Sequence, residues 1–488
     1  MGSELNISSV AVIGAGISGV VAAAHLKQQG ITVTVYERNH ASGGVWLFDE
    51  RLPPEPTFPS TKPSIAEKTP QDVESSLLHA PPGPCYSSLM NNVSTGMLQT
   101  SLLQWPEGTP ASVKHYVLKE YIQDISKTTG VNELTHYDTR VKELKKTDGK
   151  WNLVSEELRP DGEININTSS FDAVVVASGH YHAPRVPDKP GLKEWKIKWP
   201  DRIIHSKSYR YPEGFKGKNV LIIGAGVSSL DIAKDISPYA NKIWQTSRGG
   251  DFDLPGNILP ENGTQVADVE SFELPVEGQT KSELQDDEPI PLTVTLTTGE
   301  KLCQIHTVII ATGYHITLPF LSYLHQDNVK PEDVDDKTIV SDGTMYHNLH
   351  KDIFYIPDPT LSFIGVPYYT ATFSLFDFQA KLLGLVYSGQ VSIPSTEDLR
   401  EEYQKRVRDK GLGRSFNSLK GKEEEYVDEL AEWANKDLIK KGKPVFTGHT
   451  DSWKREKVEQ LARMEKLFGG DKTDPAVVKA ALALIACT

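Results

Sequence analysis

Val12-Ile13-Gly14-Ala15-Gly16-Ile17-Ser18-Gly19 is the most telling run of residues in this chain. An apolar segment leads into Gly14, and Val20 to Gln28 continues as an amphipathic helix ended by Gly30. Glycines at this spacing permit a tight turn, let backbone approach a pyrophosphate and let the helix sit close to a sheet. The start of the helix then points free N–H groups at the phosphates. Downstream, Val33-Thr34-Val35-Tyr36 ends in Glu37, an acid placed to accept hydrogen bonds from ribose hydroxyls. Gly14, Gly16, Ser18, Gly19 and Glu37 are therefore expected to hold a dinucleotide with an unphosphorylated ribose, such as FAD.

The pattern returns at Leu221-Ile222-Ile223-Gly224-Ala225-Gly226-Val227-Ser228-Ser229. Ser229 stands where the third glycine would be, a change small enough to fit near the backbone. Ser247 and Arg248 take the place of Glu37, and an Arg beside a Ser suits a 2′-phosphate. The second turn thus predicts NADPH, bound through Gly224, Gly226, Ser228, Ser229, Ser247 and Arg248. Each unit closes alike, in Phe171-Asp172-Ala173-Val174-Val175-Val176-Ala177-Ser178-Gly179 and in His306-Thr307-Val308-Ile309-Ile310-Ala311-Thr312-Gly313-Tyr314. Such apolar runs suit strands covered on both faces of a parallel sheet. The expected fold is α/β, with two Rossmann-like dinucleotide-binding domains and C-terminal helices. The NADP domain, residues 183–315, is inserted into an FAD domain of residues 1–182 and 316–488. Pro184, Pro187 and Pro190 mark the first crossing as extended chain.

A chain of 488 residues exceeds one core. A formal net charge of −13 argues against nucleic acid or an anionic membrane surface as partner. Cys85, Cys303 and Cys487 make no disulfide framework, which predicts a reduced, cytoplasmic setting. No segment approaches the roughly 20 apolar residues of a membrane span. Val477 to Cys487 is expected to be a packed terminal helix. Leu52 to Pro84, rich in Pro and Ser, predicts an excursion over the surface, and the acidic stretch Asp251 to Glu288 predicts loops. Thr396 to Lys466 interleaves charged and apolar residues as amphipathic helices do.

Several further segments carry a family resemblance. Gly43-Gly44-Val45-Trp46 matches GG-x-W, and Tyr86-Ser87-Ser88-Leu89-Met90-Asn91-Asn92 resembles Y-x-x-L-x-T-N. Gly179-His180-Tyr181 with Pro184 is similar to G-H-Y-x-x-P, and Ala311-Thr312-Gly313-Tyr314 to A-T-G-Y. Ile353 to Leu361, Phe363-Ile364-Gly365 and Asp377-Phe378-Gln379-Ala380 resemble a strand and a helix start returning to a flavin. On these segments, from Gly14 to about residue 388, the chain resembles the flavin-containing monooxygenases, class B flavoproteins, in their short soluble microbial and fungal form. The family's F-x-G-x-x-x-H-x-x-x-Y is present in part: His205 and Tyr209 are kept, Trp199 replaces the Phe and Asp201 the Gly. Baeyer–Villiger relatives usually carry Trp where this chain has Tyr209, which favours heteroatom oxidation.

The resemblance implies that Gly44, Val45 and Trp46 lie along FAD, with Asn91, Val141 and Gln379 also among the cofactor contacts. It also implies a cycle in which NADPH reduces the flavin and O₂ adds as a C4a-hydroperoxide while NADP⁺ stays bound. A soft nucleophile, an amine nitrogen or sulfide sulfur of a small molecule, takes the distal oxygen. The cofactor carries that chemistry, so no catalytic triad, carboxylate pair or metal cluster is required. Asn92 is the expected catalytic residue, because an amide can donate and accept at once. His205 fits two roles, orienting the nicotinamide half at the domain junction or a structural one. His180-Tyr181-His182 and His347-x-x-His350 lack cysteine or carboxylate company and are not metal ligands. A Baeyer–Villiger enzyme, a weakly coupled NADPH oxidase and a non-catalytic dinucleotide-binding regulator remain as alternatives. A disulfide reductase is excluded, since no cysteine pair exists to relay electrons. A homodimer is an assembly compatible with the family.

Overall fold

The computed structural model describes residues 3–66 and 74–467, so Val477 to Cys487 lies outside the described residues. Strand β1 (Ser9–Ile13) runs parallel between β2 (Thr32–Tyr36) and β3 (Ala173–Val176). The sheet of seven strands continues beyond β3 through Leu361–Phe363, which pairs parallel with it. The chain therefore leaves the sheet after β3 and comes back beside it after building a second sheet.

Helix α1 (Ile17–Gln28) connects β1 to β2. The sequence predicts one apolar face there, yet Ile17 to Leu26 are all buried. The small residues Ala22, Ala23 and Ala24 let α1 sit between the sheet and a long helix that appears much later in the chain, Thr372–Tyr387. His25 Nε2 meets Asp377 Oδ1 of that helix at 2.7 Å, and Asp377 Oδ2 accepts from the Ser101 amide at 2.8 Å.

The second sheet has five parallel strands in the order Gly263–Ala267, β5 (Lys242–Ser247), β4 (Asn219–Ile223), β6 (Thr307–Ile310) and Ile203–His205. Helix α2 (Val227–Ile236) follows β4. The expected loops of Asp251 to Glu288 are a correction: Gly263–Ala267 extends the sheet, and Val269–Phe272 pairs antiparallel with Val294–Leu296. Short runs such as Val269 and Phe272, which are buried, were hidden among acidic neighbours.

The two crossings touch each other, with Ala183–Pro184 paired antiparallel to Tyr314–His315. Three antiparallel strands unforeseen in the sequence, Thr139–Thr147, Lys150–Leu158 and Ile164–Phe171, cover one end of the first sheet. The late helices are α3 (Thr372–Tyr387), α4 (Thr396–Lys410), α5 (Glu423–Leu438) and α6 (Asp451–Leu467), the last three in the span predicted to be amphipathic helices. No helix among the described residues is long and apolar enough to cross a membrane.

Candidate active site

The first glycine turn is shaped by contact on three sides. Gly14 has φ +106°, and a Cβ there would stand 2.6 Å from the Ala177 carbonyl oxygen. A Cβ on Gly19 would overlap the Gly14 carbonyl, and one on Gly44 would lie 2.9 Å from Gly16 Cα. The GG-x-W segment thus rests directly on the turn. Glu37 is buried at the end of β2 and accepts from the Ala15 amide at 2.7 Å and from both Asn39 nitrogens at 2.9 Å.

Around this turn opens a cavity of about 1440 Å³, well above the ~300–1,000 Å³ of ordinary small-ligand pockets. Gly14, Gly16, Ser18, Glu37, Gly44, Val45, Trp46 and Val141 line it, so most of the first-site residues come together. Thr372, Phe373 and Phe376 from the start of α3 also line it. The stretch Leu52 to Pro84 does more than cross the surface, since Pro54, Pro56, Leu78 and Pro81 also form cavity wall. An extended dinucleotide with two ring systems fits such a volume, its phosphates over Gly14 to Gly16.

Gln379 lies outside the cavity wall. It is fully buried in α3, its Oε1 accepting from the Gly365 amide at 3.2 Å and its Nε2 donating to Tyr426 Oη at 2.7 Å. Gly365 (φ +94°) presses on α1, where an added Cβ would stand 2.5 Å from Ser18 Oγ. Gln379 therefore touches Gly365, which lines the cavity, and not the cavity itself. Asn91 is also turned inward: its Nδ2 donates to the carbonyls of Val93 and Ala111, and its Oδ1 accepts from the Val113 amide.

Asn92 differs from its neighbour. Its side-chain oxygen is buried with no hydrogen-bond partner among the described residues, and its backbone carbonyl accepts from Gln460 Nε2 at 2.8 Å. The cavity wall described above does not include it. Val93 and Met97, just beyond it, belong to the same apolar core as Trp46 and Phe373, which back that wall. The last hundred residues, which carry little of the resemblance, clamp this segment: Gln460 Oε1 accepts from the Ser94 amide, Glu456 from Ser94 Oγ, and Trp453 Nε1 donates to the Met97 carbonyl.

At the second turn Gly224 repeats the first, with φ +111° and a Cβ position 2.6 Å from the Ala311 carbonyl oxygen. Gly226 faces open space, and Ser228 is exposed at the start of α2, so the N-terminal end of the helix is clear. Ser229 is fully buried and accepts from Gln245 Nε2 at 2.8 Å, while Gln265 Nε2 donates to Gln245 Oε1 at 2.9 Å. Ser247 Oγ donates to Asp253 Oδ2, which also accepts the Arg248 amide. Arg248 is exposed, with no carboxylate bonded to its guanidinium among the described residues. Two cations absent from the sequence reading join it. Burial, then the like charges of Arg414 and Arg248, push Arg185 below its ordinary value. Arg414 comes from the chain between α4 and α5 and lies over the Phe252 ring at 4.7 Å. No local motif announces either residue.

His205 is buried at the crossing, edge-on to Tyr314 at 5.4 Å, with Nδ1 accepting from the Lys207 amide. Burial pushes it down to about 3, so it is neutral. Lys207, on the cavity wall, is pushed down to about 7 by burial and by Arg38 and Arg210. No group of three His, Cys, Asp or Glu residues could hold a metal among the described residues.

A family model for flavin-binding monooxygenase-like proteins matches residues 81–259, and one for an NAD(P)-binding Rossmann-like domain matches residues 12–66. The flavin-containing monooxygenase ustF2 of Aspergillus flavus is 46% identical over 471 residues, spanning 91% of this chain and 95% of its own. The chain belongs to the flavin-containing monooxygenases. A second member of this family, iboF of Amanita muscaria, is 31% identical, with 88% of each chain covered. Among solved structures, S-allyl-L-cysteine S-oxygenase from Allium sativum shares the fold with a TM-score of 0.68, 24% identity and 98% coverage of both chains. Like other flavin-containing monooxygenases, the protein is an FAD-dependent oxidoreductase that uses NADPH.

One buried acid of this monooxygenase has a measurable consequence. Glu423 of α5 accepts from the Ala371 amide, at the N-cap of α3, at 2.9 Å, while its other oxygen is buried without a partner. His449 stands 3.7 Å away but is held neutral by burial, at about 3, and gives no compensating charge. Burial raises Glu423 from 4.5 to about 7. A raised carboxyl contributes stability that is present below its unfolded value and lost as pH rises through the folded one. Glu423→Gln is therefore expected to gain on the order of 2–3 kcal/mol over the parent at about pH 8 and almost nothing near pH 4. Denaturant unfolding at the two pH values checks this, and an equal gain at both would refute it.

Proposed function

We propose that the protein oxygenates a soft nucleophile, the nitrogen of an amine or the sulfur of a thioether, with NADPH and O₂ as co-substrates. The unpartnered, buried side-chain carbonyl of Asn92, adjacent in sequence to Val93 of the apolar core that also holds Trp46 and Phe373, supports this reading. FAD bound in the cavity supplies, once reduced by NADPH, an electrophilic oxygen atom derived from O₂. The chain's own residues hold and shield. Gly14, Gly16 and the start of α1 receive the pyrophosphate, and Glu37 turns to the adenosine ribose. Trp46, Phe373 and Phe376 keep water from the ring end. Asn92 offers an acceptor and two donors to the reacting region. Gly224, Gly226, Ser228 and Arg248 bind NADPH, with Ser229 and Ser247 setting the turn.

Residues 183–315 form the NADPH unit in this reading, inserted between residues 1–182 and 316–488, and the pairing of the two crossings supports those limits. An electrophilic oxygen asks of its substrate only a polarisable lone pair, so no acid–base residue need touch it. The test is incubation of the purified flavoprotein with NADPH, O₂ and a panel of tertiary amines, thioethers and cyclic ketones. An N-oxide or S-oxide formed at the expense of NADPH is expected. Lactones as the main products, or only hydrogen peroxide across the panel, would overturn the proposal.

A further inference from the structure

Tyr86 and Tyr209 each match a family pattern, yet neither lines the cavity, and the site described above assigns them nothing. Both hydroxyls point at α2. Tyr86 Oη donates to Asp231 Oδ2 at 2.6 Å, Ser88 Oγ donates to Asp235 Oδ2 at 2.6 Å, and Tyr209 Oη makes a short bond to the same Asp235 oxygen. Asp231 and Asp235 are four residues apart, so they share one face of the helix. The two tyrosine rings meet edge to face at 5.2 Å between centroids. Burial and the facing carboxylates lift both hydroxyls well above 10, which keeps them protonated as donors.

Two of these hydroxyls, on Tyr86 and Ser88, occupy a strategic stretch. Beyond Ser88, the backbone of Leu89 and Asn91 is fixed by His115 and Val113, and Asn92 follows immediately. Asp231 lies four residues into α2, about 6 Å along its axis from the N-terminus where a pyrophosphate would sit. A helix is stiff over that distance. Any settling of its N-terminus on phosphates is therefore passed to the hydroxyls hanging from it.

We propose that Asp231 and Asp235 form a latch that passes occupancy of the second dinucleotide site to the segment 86–92, so that Asn92 takes its working position only with the nicotinamide nucleotide bound. The latch rests on the reading of the second glycine turn as the NADPH site. The aspartates are positioning residues, acting through Tyr86, Ser88 and Tyr209 and touching no reacting atom. Product yield cannot show this by itself, because a loosened domain interface would lower it too.

Hydrogen–deuterium exchange of the flavin-loaded protein, with and without NADP⁺, separates the possibilities. In the parent, NADP⁺ is expected to slow exchange both in 224–236 and in 86–95. In a Tyr86→Phe/Tyr209→Phe variant, which keeps both rings and the Ser88–Asp235 bond, the first protection should persist and the second should be reduced. Ser88→Ala with Asp235→Asn provides an independent pair if the double tyrosine variant fails to fold. Protection of 86–95 that is the same in the variants as in the parent, or absent from the parent while 224–236 is protected, would overturn the latch. Absence of protection at 224–236 in the parent would instead overturn the NADPH site on which it rests.

Discussion

An Asn92→Ala variant is expected to purify with its flavin bound, to oxidise NADPH, and to return hydrogen peroxide in place of oxygenated product. Flavin retention follows because the residues around the first turn are untouched: the cavity is shaped by Gly14, Gly16, Glu37 and the GG-x-W segment, and the wall residues named there do not include Asn92. Loss of product follows from the state of the side chain. A buried amide oxygen without a protein partner costs free energy, and folded proteins keep few of them. Asn91, next in sequence, shows the contrast, with its oxygen bonded to Val113 and its nitrogen to two carbonyls. Removing one group that stabilises a developing charge typically lowers turnover by ~10²–10³-fold. The ratio of product to hydrogen peroxide per NADPH consumed is the quantity to measure. A ratio unchanged from the parent would remove Asn92 from the chemistry.

Arg248→Ala is expected to raise the KM for NADPH by roughly 10–100-fold, the equivalent of one charge-assisted hydrogen-bonding group, and to leave the KM for NADH nearly alone. Ser247 contributes less than its position promises, because its hydroxyl already donates to Asp253. The discriminating charge then falls to Arg248, with Arg414 and Arg185 converging from other parts of the chain. Initial rates with both nucleotides, together with titration of 2′,5′-ADP, decide the matter. Equal losses for NADPH and NADH would reassign Arg248 to general electrostatics.

The sequence displayed what is encoded locally. Strand, glycine turn and helix occur twice within short windows, and a continuous apolar run announces each central strand, so the parallel centres of the two sheets were legible. Elements defined by distant partners were not. Burial on all sides of α1 depends on α3, more than three hundred residues later, and no window around Ala22 contains that fact. The strand Gly263–Ala267 sat in a region whose charge suggested loops. The clamp on residues 92–97 by Trp453, Glu456 and Gln460, and the approach of Arg414 to Phe252, depend on side chains from surface-like helices and a connecting stretch with no motif. The resemblance singles out Gln379, but its partners, Gly365 and Tyr426, are visible only in the structure.

Ser229 bears on redesign, because it stands where the pattern of the turn has its third glycine. Here the hydroxyl receives Gln245, and Gln245 in turn receives Gln265 from the neighbouring strand. Ser229→Gly would strand the Gln245 amide in the interior, at a cost of about 1–3 kcal/mol. The three side chains depend on one another, so a change at one position needs simultaneous change at the others.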